Sequence, residues 1–313
     1  MKEKMKHWPL RAVIVSALMA GPALAAEQSQ VTGGTPEKSG RMGPTSGTPV
    51  NSAIGGGGIV PKGMAITALN FSYRDKHDIV DDAGFGARTS QQELYLLKLR
   101  YGLTDRFELL LVPGYVSTHR DAYLNQQADR VQGPTDFAFG GTYAPLLQPL
   151  GEPFSLGLHL AVNMPTGQNG RQYPPGGGAW SYSAKAGISK VWQATHRFDG
   201  DIGFVQPMET GNQGVRKGRV TFMTGSYHYV FNPIFDAGLE FTLENGESWQ
   251  RDGVDMRNGQ TEMYVGPTIN FSLPKWKTWL GIGVFVPVLR DYDIPTASDK
   301  TRFEIKLGKL WSW

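Results

Sequence analysis

The stretch FSLGLHLAVNM, residues 154–164, decides how this chain folds. Phe154, Leu156, Leu158, Leu160, Val162 and Met164 alternate there with Ser155, Gly157, His159, Ala161 and Asn163. Side chains of a strand point to opposite faces in turn, so the segment has one continuous apolar face and one small or polar face. Its length, about ten residues, suits a tilted membrane strand and exceeds the ~5–6 residues usual in soluble sheets.

The pattern recurs on both sides of that stretch. Phe235, Ala237, Leu239, Phe241 and Leu243 alternate with Asp236, Gly238, Glu240, Thr242 and Glu244. Met263, Val265, Pro267, Ile269, Phe271 and Leu273 do so with Glu262, Tyr264, Gly266, Thr268, Asn270 and Ser272. Applied throughout, the template predicts strands at 64–74, 93–103, 107–117, 136–146, 154–165, 180–192, 197–207, 218–230, 235–244, 262–273, 278–288 and 301–313. The eighth is the least regular, because Met223, Tyr227 and Tyr229 sit opposite Val220 and Phe222.

The connections carry separate information. Short links at Thr104-Asp105-Arg106, 148–153, 193–196, 231–234 and 274–277 alternate with long polar ones at 75–92, 118–135, 166–179, 208–217, 245–261 and 289–300. An outer-membrane barrel has short periplasmic turns, longer outer loops and an even strand number. A β-sandwich has no reason to keep that alternation. The expected fold is therefore all-β: a transmembrane, antiparallel, up-and-down β-barrel of about 12 strands over residues 63–313. Pro113, Pro165, Pro207 and Pro287 fall toward the outer ends of outward-running strands, where a residue without an N–H terminates a ladder.

The first residues read as an export signal. Lys2, Lys4, Lys6 and Arg11 precede the apolar run Ala12 to Met19, and Ala23-Leu24-Ala25 supplies the small residues of a cleavage point, so residues 1–25 are expected to be removed. Residues 26–62 are rich in Gly, Ser, Thr and Pro and are expected to form a flexible periplasmic segment, the alternative being a small plug folded into the barrel. Most of the formal net charge of +3 lies in the signal, so the mature chain is near neutral and no polybasic patch points to nucleic acid. Cys 0 removes disulfides, thiolate metal sites and cysteine nucleophiles together.

The last strand sets Phe303, Ile305, Leu307, Lys309, Trp311 and Trp313 against Glu304, Lys306, Gly308, Leu310 and Ser312. Apolar alternation with an aromatic final residue resembles the signal read by the barrel-assembly machinery, an expected partner through Trp313. Tyr95, Tyr101, Phe107, Trp180, Trp192, Phe231, Trp276, Trp279 and Trp311 lie near predicted strand ends and suit interfacial girdles against membrane lipid. Asp81 and Asp82 are loop carboxylates of the kind that bridge cations to lipopolysaccharide.

Twelve strands ~4.8 Å apart and tilted ~40° give a backbone diameter of about 24 Å and roughly 10 Å of lumen. By parity the lumen is expected to carry Lys98, Arg100, Glu108, Asp136, His159, Lys185, Asp199, Asp201, Glu240, Glu244, Glu304 and Lys306. A Lys or Arg on the lipid face at mid-depth costs ~2–4 kcal/mol, which keeps charge on the other parity. Such a lining either selects a small solute or simply forms a solvated, mutually paired interior.

Several segments resemble the outer-membrane family named for the meta-pathway of phenol degradation. Tyr101-Gly102-Leu103-Thr104-Asp105-Arg106-Phe107-Glu108 is similar to its recurring periplasmic hairpin. Gly133-Pro134-Thr135-Asp136 resembles its G-x-G-D element, with Thr135 where a glycine is usual. Asn163-Met164-Pro165-Thr166-Gly167 and Trp180-Ser181-Tyr182 resemble the following strand end and re-entry. The resemblance implies a channel or transporter-like barrel associated with uptake of aromatic or hydrophobic compounds, and supplies no catalytic residues.

Ser226 and His228 share a strand face and are the nearest approach to a nucleophile–base pair. Residues 55–63 lack the Lys-Ser/Thr ending of a phosphate loop, and Asp291-Tyr292-Asp293 lacks the glycine and glutamate of a calcium loop. Histidines 77, 119, 159, 196 and 228 show no close spacing for zinc. No cofactor or metal is expected. The expected function is a channel in the outer membrane; the alternatives are a closed structural or surface-binding barrel and a lipid-modifying barrel enzyme.

Overall fold

A computed structural model describes residues 58–80, 88–122, 124, 127–167, 178–211, 214–294 and 296–312. The export signal, most of the flexible segment, Asp81, Asp82 and Trp313 lie outside them.

Twelve strands run up and down: β1 (Ala65–Lys76), β2 (Ser90–Gly102), β3 (Phe107–Val112 and Gly114–Arg120), β4 (Asp129–Pro134 and Phe137–Leu146), β5 (Ser155–Met164) and β6 (Ser181–Trp192). They continue as β7 (His196–Pro207), β8 (Val220–Val230), β9 (Phe235–Gly246), β10 (Gln260–Leu273), β11 (Thr278–Tyr292) and β12 (Thr301–Trp311). Each pairs antiparallel with its sequence neighbours. β1 pairs with β2 from Ala65↔Tyr101 to Lys76↔Ser90 and with β12 from Ala65↔Trp311 to Asp75↔Thr301, which closes the sheet. Closure is what hydrocarbon demands, because an open edge would leave backbone N–H and C=O groups unpaired there.

The faces are inverted relative to a soluble protein. In β5, Leu160 is 67 % exposed while His159 is 2 % exposed. The same contrast holds on β8, where Tyr227 and Tyr229 are exposed and Thr224, Ser226 and His228 are buried. Apolar side chains face out and polar ones face in, the arrangement expected of a membrane barrel. The irregular eighth strand thus obeys the same rule.

Two of the four prolines expected at outer strand ends, Pro113 and Pro287, sit within strands instead. β3 resumes beyond Pro113, whose carbonyl accepts from the Leu97 N–H at 3.0 Å, so β2 keeps one register along both halves. Opposite it, β4 slips by one residue between Val112↔Ala138 and Tyr115↔Pro134. A slip of one exchanges the faces. Asp136 lies in that break, half-buried, and its carboxylate accepts from the Gly167 N–H at 2.9 Å. Parity had put it on a strand wall. In β11 the register changes where Met263↔Leu289 gives way to Tyr264↔Pro287, so Val288 is the extra residue of a bulge.

Aromatic rings form a belt outside the short-turn end. Trp192 stacks on His196 (5.4 Å between centroids), and contacts run on through Tyr229, Phe231 and Phe235 to Phe271. Trp276 and Trp311 are exposed there. Trp279 departs from the girdle expectation: it points inward and packs with Val60, Ile66, Ala68 and Leu310. At the other end, Asp78–Val80 pairs with Thr296–Ser298, linking the first and last long loops.

Candidate functional site

The interior is lined by charges that neutralise one another. On β6 and β7, Lys185 Nζ lies 2.9 Å from Asp201 Oδ1 with both side chains buried. On β2 and β3, Arg100 forks onto Glu108, donating from Nε and Nη2 at 2.9 Å each. Such bidentate pairing fixes orientation as well as charge.

Toward the short-turn end a second network crosses five strands, β6 to β10. Arg197 Nε donates to Asp199 Oδ2 at 3.0 Å, and its Nη1 lies 3.2 Å from Asp236 Oδ2. The hydroxyl of Ser189 donates to Asp199 Oδ1 at 2.6 Å. Asp236 Oδ1 is 2.8 Å from His228 Nδ1, and His228 Nε2 is 3.1 Å from Thr268 Oγ1. Both ring nitrogens of His228 are thereby engaged, and neither by Ser226. The geometry does not assemble the nucleophile–base pair that their shared face suggested.

Toward the long-loop end Arg302 is 0 % exposed. Its Nη1 donates to Glu244 at 3.0 Å, and its Nε donates to Asp299 at 3.2 Å. The guanidinium carbon lies 3.9 Å from the centre of the Tyr264 ring. Ser298 and Asp299 come from the last loop, yet both are buried. Arg290 Nη2 holds the Asp299 carbonyl at 2.8 Å. This loop is folded into the barrel mouth.

Of the twelve interior candidates, Lys98, Arg100, Glu108, His159, Lys185, Asp199, Asp201, Glu240, Glu304 and Lys306 are buried. Glu244 is partly buried, and Asp136 is at the β4 break. Sequence reasoning passed over Arg197, Asp236 and Arg302, although each shares parity with a residue it named on the same strand. Ser298 and Asp299 lie in a loop and left no periodic signal.

The periplasmic hairpin 101–108 also has visible roles. The Leu103 N–H donates to the Phe107 carbonyl at 2.9 Å, and the Thr104 hydroxyl accepts from the Arg106 N–H at 3.2 Å. Arg106 reaches the next turn, donating to the carbonyls of Ala144 (3.4 Å) and Pro145. Glu108 faces inward to Arg100.

At the long-loop rim, His77 Nε2 is 3.0 Å from Asp121 Oδ2 and His119 Nε2 is 3.9 Å from Asp121 Oδ1. Spacing in the sequence did not suggest that the two would meet. Among the described residues no group of three such side chains is arranged to hold a metal ion.

In fold the chain is similar to the COG4313 outer membrane channel from Pseudomonas putida F1. The TM-score is 0.64 at 15% identity, covering 80% of this chain and 97% of that one. More distant are the CymD monoaromatic hydrocarbon channel (TM-score 0.43, 8% identity, 81% and 89% covered) and a Pseudomonas aeruginosa FadL homologue (0.42, 8%, 79% and 90%). No curated protein matches the chain in sequence. The fold is that of an outer-membrane β-barrel. Residues 73–290 match the family described as "Putative MetA-pathway of phenol degradation", and the chain belongs to that family.

Proposed function

We propose that this protein is an outer-membrane channel for small solutes, with aromatic or hydrophobic compounds as the class it serves. The observation that carries the reading is the interior itself: a closed twelve-strand cylinder with charges matched in pairs and an apolar wall on β1, β11 and β12 at the short-turn end. Matched charges give the interior no strong preference for either sign of ion, and the apolar wall favours a solute that is poorly hydrated. Membership of a family named for phenol degradation, and likeness in fold to a protein named as a channel, support the same class.

The path would run past the interior side chains on β2, β3, β5, β6, β7, β9 and β12 at Lys98, Arg100, Glu108, His159, Lys185, Asp199, Asp201, Glu240, Glu244, Glu304 and Lys306, with Asp136 at the outer rim. Delivery would use a cleaved export signal and the barrel-assembly machinery, which reads the last strand to Trp313. Lipopolysaccharide would be met by the long loops. A second reading, a closed barrel with a structural or surface-binding role, is favoured by the complete burial of Arg302, Tyr264 and Phe285 in the interior.

Liposome swelling separates the two readings. Vesicles carrying the protein should admit small aromatics faster than sugars, and Lys98→Glu should change that order. Planar bilayers should show discrete conductance steps. Neither swelling nor steps would leave the closed barrel standing.

A further inference from the structure

At the short-turn end the interior wall is charged on β6 to β10 but apolar on β1, β11 and β12. Ile66, Ala68, Leu110 and Leu310 face inward and are buried, and Trp279 lies with them. An apolar wall inside a water-filled lumen is unfavourable unless something apolar covers it. The cover is the chain itself: Val60 packs on Ile66, Ala68, Trp279 and Leu310, and Ile59 packs on Ala144 and Leu147.

What holds this segment in place is its backbone. The Val60 N–H donates to Glu108 Oε2 at 2.7 Å, and the Gly58 carbonyl accepts from Arg100 Nη2 at 3.0 Å. The Gly63 N–H donates to the Gly102 carbonyl at 2.8 Å, with Gly63 at φ +73°. Gly102 permits the approach, since a Cβ there would stand 2.1 Å from the Pro61 carbonyl oxygen. The side chains of Ile59 and Val60 supply the apolar surface that covers the wall.

A further observation points to a ligand. The Trp279 indole N–H is buried, the residue being 5 % exposed, and has no hydrogen-bond partner. A buried donor without an acceptor is costly in a packed interior and marks a place where an acceptor belongs.

We propose that this wall is a binding site for a small aromatic solute bearing one acceptor oxygen, and that Ile59 and Val60 occupy it as a stand-in which the solute displaces. The ring replaces Val60 on Ile66, Ala68 and Leu310, and Ile59 leaves Ala144 and Leu147 as the segment moves. The oxygen accepts from Trp279. The Arg100–Glu108 fork remains to receive the segment again when the solute leaves. The inference rests on the channel reading and adds to it the ligand chemistry and the exit position.

The chain has no cysteine, so Val60→Cys places one reporter thiol in the segment. The full-length barrel in lipid vesicles is treated with a water-soluble maleimide, with p-cresol or toluene as probe. The thiol should react slowly alone and at least about tenfold faster at saturating p-cresol. Val60→Ser, which weakens the stand-in, should tighten p-cresol binding about tenfold, the scale of one buried aliphatic side chain. Trp279→Phe should abolish the preference for p-cresol over toluene. If p-cresol crosses wild-type vesicles while labelling stays slow and Val60→Ser binds it no better, the site is overturned and the channel reading survives. If p-cresol does not cross at all, the channel reading fails and takes this site with it.

Discussion

Replacing Arg302 by methionine tests whether its buried contacts at the long-loop end stabilise the barrel. Methionine keeps much of the volume and removes the charge. Asp299, fully buried, loses its partner at 3.2 Å, and breaking a buried pair on one side costs about 3–5 kcal/mol. The cation over the Tyr264 ring adds about 1–2 kcal/mol in a desolvated setting. Glu244 adds little, because its side chain is 24 % exposed and can turn toward water. The expected loss is therefore about 4–7 kcal/mol. Adding Asp299→Ala removes the stranded carboxylate and should bring stability back to within about 2 kcal/mol of wild type. Urea unfolding from lipid vesicles, read by tryptophan fluorescence, measures both, and the slope against urea should not change. The reasoning is refuted if Arg302→Met lies within about 1 kcal/mol of wild type, as a pair screened by water would. A double variant no better than the single would refute it equally.

Two further outcomes follow from other parts of the barrel. Leu160→Arg should cost about 2–4 kcal/mol more than Leu160→Ala in the same unfolding assay, because Leu160 faces lipid; equal costs would mean that this face meets water. The Asp121 carboxyl is held below the usual carboxylate range, first by the Thr89 hydroxyl, which donates at 2.5 Å, and then by His77 and His119. A depressed value means that its contribution to the rim is present above the unfolded value and is lost as pH falls through the folded one. Thr89→Val should move that loss to higher pH, read from the Asp121 carboxyl resonance in micelles; an unmoved midpoint would remove the hydroxyl as cause.

The barrel was legible because its two faces meet different solvents. Leu158 and Leu160 touch lipid where His159 does not, so lipid and interior imprint a period of two that needs no alignment to be read. The even run of short and long links gave the strand number for the same reason. What escaped had a non-periodic cause. Pro113 and Pro287 looked like stops because proline cannot donate to a ladder, yet a break and a bulge carry the strands past them. Asp136 left its expected face because β4 slips by one residue beside it. Ile59 and Val60 lie in a stretch whose composition reads as disordered, but they are fixed by backbone bonds to Glu108 and Gly102, which composition cannot report. Trp279 was placed among the girdle rings by nearness to a strand end; parity with Gly281 and Gly283 would have turned it inward.

The seam between β1 and β12 joins residues from Ala65 to Asp75 with residues from Trp311 to Thr301, the widest separation along the chain that any ladder here spans. The hoop therefore cannot lock until its final stave exists. Nascent chain without that stave would carry two raw borders into oil, so the hoop cannot shut in hydrocarbon before the whole chain has been made. Loss of the last dozen residues would then leave every other stave intact and the circle open.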